Sequence, residues 1–327
     1  MSDIDLYVSK IQNLRRDKNR DRYPSATRYG APHKPILLLS VLDLIEEGQL
    51  PKNHIRLTPD LHDLFRSYWE DVMSEERRPN IAMPFFHLTG DNFWHLIPAE
   101  ESKPILEAGK RLRSIRALHD HTEGARLDDE LFSLLQGSEN RDVLRATLIE
   151  SYFSKSARSA VLERGQINVR SFKYSKILLQ QPHHSPSPQD DSDASEAFPD
   201  PVRDQGFRRA VVAAYNHRCA ASGIRILTAD NRTAIDAAHI VPWSISHNDS
   251  PRNGIALSKL CHWAFEQGLM TISTDYRIRL SSELSASYNS PGYLGTLDER
   301  PIHLPDDRGL HPDPEYLSWH TKKRFRS

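Results

Sequence analysis

The sequence holds 327 residues, 38% of them hydrophobic, with 43 Lys and Arg against 44 Asp and Glu for a formal net charge of -1. That length suits two domains, each able to bury its own core, and no apolar run approaches the roughly 18 residues of a membrane span. With only Cys219 and Cys261, a disulfide framework and a four-cysteine zinc site are excluded, and a reducing compartment fits. Residues Met1 to Lys10 lack a charged region followed by an apolar stretch, so no secretory signal is expected and the chain reads as cytoplasmic. A near-zero net charge leaves nucleic acid open as a partner, since a basic face can be balanced by acid elsewhere.

In chain order, "NLRRDKNRDRYPSATRYGAPHK" comes first, with Arg15, Arg16, Lys18, Arg20, Arg22, Arg28 and Lys34 near Tyr23 and Tyr29. That mixture suits phosphates and base faces; a solvated helix face is the equal alternative, since Asp17 and Asp21 dilute the charge. "APHKPILLLSVLDLIEEGQL" predicts a buried helix from about Pro35 to Glu47. "TPDLHDLFRSYWEDVM" predicts a second helix behind a Thr58-Pro59-Asp60 cap. "AMPFFHLTGDNFWHLIP" changes period, and Phe86, Leu88, the turn Thr89 to Asn92, then Phe93, Trp94 and Leu96 predict a hairpin. "GKRLRSIRALHDH" adds a second basic strip of Lys110, Arg111, Arg113 and Arg116. "DDELFSLLQGSENRDVLRATLIESYF" supplies one or two further helices, and "VRSFKYSKILL" closes an α+β domain over residues 1–180. The stretch from Gln180 to Asp200, rich in Pro, Ser and Asp and without Lys or Arg, reads as a linker over 181–200, with His183 and His184 solvated.

Residues 201–327 hold the chemistry. "FRRAVVAAYNHRCAASG" predicts a helix from Phe207 to about Tyr215 and a turn from Ala220 to Gly223. "TAIDAAHIVPWS" predicts a strand ending at His239, where Pro242 stops the ladder. "NGIALSKLCHWAFEQGLMTIS" predicts a strand at Ile255 to Leu257 and a helix that carries His262 and Glu266 before Gly268 ends it. His262 and Glu266 are four residues apart, on one helix face, a spacing able to hold one cation. His239 at the strand end is placed to act as a general base near neutral pH. Asn253, between the strands, is placed to bond backbone and pin the strand end. A His and carboxylate set without a cysteine cage suits Mg²⁺ or Mn²⁺ rather than structural zinc.

The ordered set His239, Asn253 and His262, within "AAHIVPW", "NG" and "CHWAFEQG", resembles the HNH endonuclease family over about Arg203 to Ile278. The resemblance implies a ββα-metal unit in which His239 activates water, Asn253 orients the loop and His262 binds a divalent ion that polarises the scissile phosphate. Two departures stand out. Many such nucleases place an acidic residue or His immediately before the base, where this chain has Ala238; Asp236 is the nearest substitute ligand, unless it pairs with a basic neighbour such as Arg225. Many also carry two Cys-x-x-Cys pairs, where this chain has "CAAS" and a lone Cys261, so Cys219 and Cys261 are expected in the core. His247 is expected in a solvated loop, and Trp243 and Trp263 are expected to pack the small unit.

"HKPILLL" and "PFFHLTGDNFWHL" resemble the N-terminal sulfur-binding domain of phosphorothioate-dependent, McrA-like restriction endonucleases, in which that domain precedes an HNH unit. The resemblance implies a modification-dependent enzyme that defends a bacterium by cutting double-stranded DNA, with His33, Phe86 and His87 as pocket residues. The expected DNA contacts are then Arg15, Arg16, Arg28, His33, Lys34, Phe86, His87, Arg111 and Arg113. A nuclease that senses methylated or hydroxymethylated cytosine and a non-catalytic DNA-binding regulator are the alternatives. One ββα-metal site addresses one phosphate, so cutting antiparallel strands calls for a homodimer, at least on DNA.

Overall fold

A computed structural model describes residues 3–74, 77–102, 112–183, 198–228, 232–286 and 288–327. Two compact units divide the chain, the first running to Val169 and the second starting at Arg170. None of the helices among the described residues is long and apolar enough to cross a membrane.

In the first unit, α1 (Asp3–Gln12) precedes α2 (His33–Glu46), which is buried from Lys34 through Ile45. A helix apolar on every side has to lie inside its domain. Around α2 pack α3 (Pro59–Val72), whose Thr58 side chain accepts from Leu61 N, the short α4 (Ala82–His87), and the helix at Ser138–Tyr152. Within α2, Asp43 is fully buried. It accepts from Arg145 at 2.6 Å, Tyr68 at 2.8 Å and Asn168 at 3.0 Å. Burial raises the Asp43 carboxyl, and Arg145 opposes the rise.

The hairpin expected over Phe86 to Leu96 does not form. Phe85 and Phe86 lie in α4, and a 3₁₀ turn follows at Leu88–Asp91. Only Trp94–Pro98 is extended (β1), and it pairs antiparallel with β2 (Thr122–Leu127), Trp94 opposite Leu127 and Leu96 opposite Ala125. Ala82, Phe85 and Leu88 fall at helical rather than alternating spacing and are all fully buried, so burial favours a helix there. α5 (Ile115–His121) leads into β2, and α6 (Asp129–Leu134) and α7 (Ser138–Tyr152) follow it. The long α8 (Arg158–Gln180) begins in the first unit and ends in the second. Of the expected linker, residues 184–197 lie outside the described ones.

The second unit continues with α9 (Asp200–Ala214), which starts well before the expected Phe207, because Pro201 fits the first turn of a helix. α9 packs on β3 (Ile235–His239), which pairs antiparallel with β4 (Gly254–Ser258), His239 opposite Gly254. The loop between them holds α10 (Trp243–Ser246). α11 (Lys259–Glu266) follows β4 directly. β5 (Met270–Ile272) and β6 (Ile278–Leu280) form a second antiparallel pair, and α12 (Pro314–Lys323) packs on β5. Phe207, Val211, Ile255, Leu257, Phe265 and both cysteines share one core.

Gly268 links α11 to the chain end. Its φ is +70°, and a Cβ there would sit 2.0 Å from the Arg324 carbonyl oxygen, while Arg326 N donates to Gly268 O at 2.9 Å. Gly268→Ala therefore combines left-handed strain of about 1–3 kcal/mol with a clash that displaces the tail. The expected outcome is a thermal midpoint lower by several degrees, measured by calorimetry; an unchanged midpoint would show that the tail does not bear on this turn.

Candidate active site and nucleic-acid cavity

The β3, β4 and α11 elements bring together what the sequence scattered. A cavity of about 470 Å³ is lined by His239 from the end of β3, His262 and Glu266 from α11, Trp243, and His320 and Arg324 from α12. His262 Nε2 lies 3.2 Å from Glu266 Oε1, as an i, i+4 pair on one helix face should. The His239 ring stacks on Phe207 with centroids 3.7 Å apart and planes within 6°, and its Nε2 lies 2.8 Å from Asp249 Oδ1.

Asn253 is fully buried. Its side-chain oxygen accepts from Val241 N at 2.9 Å, and its amide donates to Val241 O at 3.0 Å and Asn248 O at 2.9 Å. The amide thus holds both ends of the loop that follows His239.

Asp236 does not join the histidines, which corrects the expectation that it is a ligand. It is three residues from His239 on a strand, an odd spacing that directs it to the opposite face, and Arg208 Nε, not Arg225, binds it at 2.8 Å. Among the described residues, no three His, Cys, Asp or Glu gather around one point. His262 and Glu266 still fit a divalent ion, because hard ions of the Mg²⁺ type are held by one or two protein ligands and fill their other positions with water and substrate phosphate oxygens. Trp263 also departs from expectation: it is 51% exposed rather than packed. His247 is exposed with a left-handed backbone. Cys219 and Cys261 are both buried, and hydrogen bonding from the Cys261 thiol pulls the Cys219 thiol down from its ordinary value.

Sequence reasoning missed three groups here. Asp249 sits in a polar loop, and its one signal is that "HNDS" holds the carboxylate nearest His239 in sequence on its C-terminal side. His320 and Arg324 lie far along the chain, and the basic run "TKKRFR" was their one signal.

In the first unit, a second cavity of about 600 Å³ is lined by Arg15, Arg16, Arg22, His33, Lys34 and His87, with Tyr23, Ala31, Met83 and Pro84 as its apolar part. Five of the expected DNA contacts, Arg15, Arg16, His33, Lys34 and His87, therefore share one wall. Phe86, Arg28 and Arg113 do not join them. Phe86 packs against the core, Arg28 donates to the carbonyls of Phe153 and Ser151, Arg113 is exposed and away from the cavity, and Arg111 lies outside the described residues. Lys34 is paired with Asp91, and Arg16 Nη1 donates to Thr27 O at 3.0 Å while its guanidinium lies 4.7 Å over the Tyr152 ring. The apolar lining was not legible, because Met83 and Pro84 come from the segment read as a hairpin.

Residues 5–168, half of the chain, match the ScoMcrA-like DNA sulfur-binding domain. The chain belongs to that family. Residues 219–273 match the HNH endonuclease family, so this member joins a sulfur-binding domain to an HNH endonuclease domain. Among solved structures, a modification-dependent TagI restriction endonuclease is similar at 21% identity and a TM-score of 0.29, over 41% of this chain and 42% of that one. The type IV phosphorothioation-dependent restriction endonuclease ScoMcrA is similar at 12% identity and a TM-score of 0.34, over 79% of this chain and 94% of that one. The chain thus spans less than half the length of the first. No curated protein matches it.

One residue of the sulfur-binding domain's cavity reports on its burial. His33 stands against Trp69 and Tyr23, and burial pushes its imidazole down from 6.5 to about 4, with Asp17 opposing. Between those values the unfolded chain binds a proton that folded His33 refuses. Its contribution to stability is therefore whole above about pH 6.5 and is lost as pH falls towards 4. For His33→Asn, the urea midpoint of the first unit is expected to fall less steeply than wild type over that window. Equal slopes would mean that His33 is protonated in the fold.

Proposed function

We propose that the chain is a cytoplasmic, divalent-metal-dependent DNA endonuclease that cuts DNA carrying phosphorothioate links, the first unit reading the mark and the second cutting the strand, with residues 181–200 as a linker. The observation that carries the reading is the 470 Å³ cavity where His239, with one ring nitrogen engaged, faces the His262 and Glu266 pair. His239 takes the proton of the attacking water. Asn253 holds the loop that aims it, and Arg324 at the rim meets a phosphate oxygen. Mg²⁺ or Mn²⁺ held by His262 and Glu266 would supply positive charge to the scissile phosphate and the leaving oxygen. Two copies, one for each antiparallel strand, account for a double-strand break.

The first-unit cavity supports recognition of sulfur. Replacing a phosphate oxygen by sulfur makes that edge larger and less strongly hydrated. Apolar Ala31, Met83 and Pro84 favour such an edge by burial, while Arg15 and Arg22 on the same wall face the remaining charge.

His239→Ala in the full chain is expected to lower cleavage of a phosphorothioated duplex by about 10²–10⁴-fold and to leave binding within twofold. Activity close to wild type would remove His239 from the chemistry. The same inactive chain is expected to bind the phosphorothioated duplex more tightly than its plain counterpart in a filter or polarisation assay with Mg²⁺ or Mn²⁺ present. Equal affinities would make the first unit a general clamp, and a preference for modified cytosine would move recognition to the base.

A further inference from the structure

Asp249 has no part in the reading above, yet it is the only carboxylate bonded to His239 among the described residues. It is fully buried. Its Oδ2 lies 3.0 Å from the Tyr174 hydroxyl, and Arg203 Nη1 reaches Oδ1 and Oδ2 at 3.1 and 2.9 Å. Burial and then the neighbouring carboxylate push the Tyr174 phenol up, so Tyr174 stays neutral and donates. Arg203 is itself buried and lies 3.5 Å over the Trp243 ring, so its guanidinium is fixed from two sides. With donors arriving from Arg203 and Tyr174, the carboxylate oxygens accept, and His239 Nε2 completes the set as a third donor.

A neutral imidazole carries one proton. Placed on Nε2, it leaves the lone pair on Nδ1, which has no hydrogen-bond partner among the described residues. The Phe207 stack fixes the plane of the ring, so one contact sets its tilt and the other its rotation and tautomer.

We propose that Asp249 is a positioning residue that holds His239 in the Nε2–H tautomer, so that Nδ1 is the proton acceptor. As the water oxygen bonds to phosphorus, its proton passes to Nδ1, the bond from phosphorus to the leaving oxygen breaks, and that oxygen takes a proton from solvent. Asp249 then faces the imidazolium across a charge-assisted hydrogen bond. The inference rests on His239 as the base.

Two measurements test it. The first uses the metal-free full chain labelled with ¹⁵N-histidine, with the His239 signals assigned by their loss in His239→Ala. Long-range ¹H–¹⁵N correlation is expected to give a protonated Nε2 and a bare Nδ1; the opposite tautomer overturns the proposal. The second uses Asp249→Asn with plasmid carrying phosphorothioate links and Mn²⁺. The asparagine oxygen has to serve Arg203 and Tyr174, so its NH₂ turns to His239 Nε2, makes that atom an acceptor and moves the proton to Nδ1. Cleavage is expected to fall by about 10²–10⁴-fold with duplex affinity within twofold and the tautomer signal reversed. A folded Asp249→Asn protein that cuts within twofold of wild type overturns the proposal. A wild-type chain that cuts no duplex overturns the nuclease reading beneath it, a result distinct from the wrong tautomer in a chain that cuts.

Discussion

The side chain of Asn253 is the constraint on which the second unit's site depends. Its amide matches two loop carbonyls and one loop N–H, at Val241 and Asn248, groups that β3 and β4 cannot pair because the loop has already left the ladder. Buried backbone groups left without partners cost about 1–3 kcal/mol each, so this geometry is strongly preferred. The consequence is positional. Val241 follows His239 by two residues and Asn248 precedes Asp249, so one amide fixes both members of the His239–Asp249 pair. Neither strand pairing nor core packing alone would bring them to 2.8 Å.

Asp43 in the first unit and Asp249 in the second are buried carboxylates in similar settings. Asp43 accepts from a tyrosine, an arginine and Asn168; Asp249 accepts from a tyrosine, an arginine and His239. Such buried ion pairs are poor sources of net stability, because desolvation offsets most of their Coulomb energy, but removing one partner is severe. The third partner separates the two. Asn168 cannot change protonation, which leaves the Asp43 network a fixed structural joint. His239 can, which makes the Asp249 network a site for moving a proton. Helix α8 contributes to both, Asn168 from its first half and Tyr174 from its second.

Legibility in the sequence followed the range of the interactions involved. The β3, β4 and α11 order, the Gly268 stop, and the placement of His239, Asn253 and His262 were readable because ladder pairing, turn chemistry and i, i+4 spacing are local. The α2 and α3 helices were readable for the same reason, since an apolar run and a Thr58 cap declare themselves. The stretch around Phe86 misled because Phe85, Phe86, Phe93 and Trp94 have strand propensity, while burial against α2 decides the outcome. Asp236 is close to the base in sequence and not in space, because strand alternation sends it the other way. Asp249, His320 and Arg324 reach the site only through tertiary packing, which no periodicity encodes.

The electrostatics of the first-unit cavity bear on what it is built to hold. A surface made for generic DNA offers many unpaired cations, since its affinity comes from counterion release. Here Lys34 is paired with Asp91, Arg22 lies 3.6 Å from Asp17, and Arg16 is committed to Thr27 and Tyr152. Burial also lowers Arg16, which places its charge where water is scarce. Such a wall holds much of its charge in internal pairs and lines the rest with Tyr23, Met83 and Pro84. An ordinary phosphate oxygen entering it would lose hydration and find Lys34 and Arg16 already engaged, with Arg15 and Arg22 left to face its charge. A larger, weakly hydrated edge loses less on entering and makes more apolar contact. Under the proposed function, discrimination therefore arises from the unequal cost of desolvating oxygen and sulfur, with the arginines setting register along the backbone.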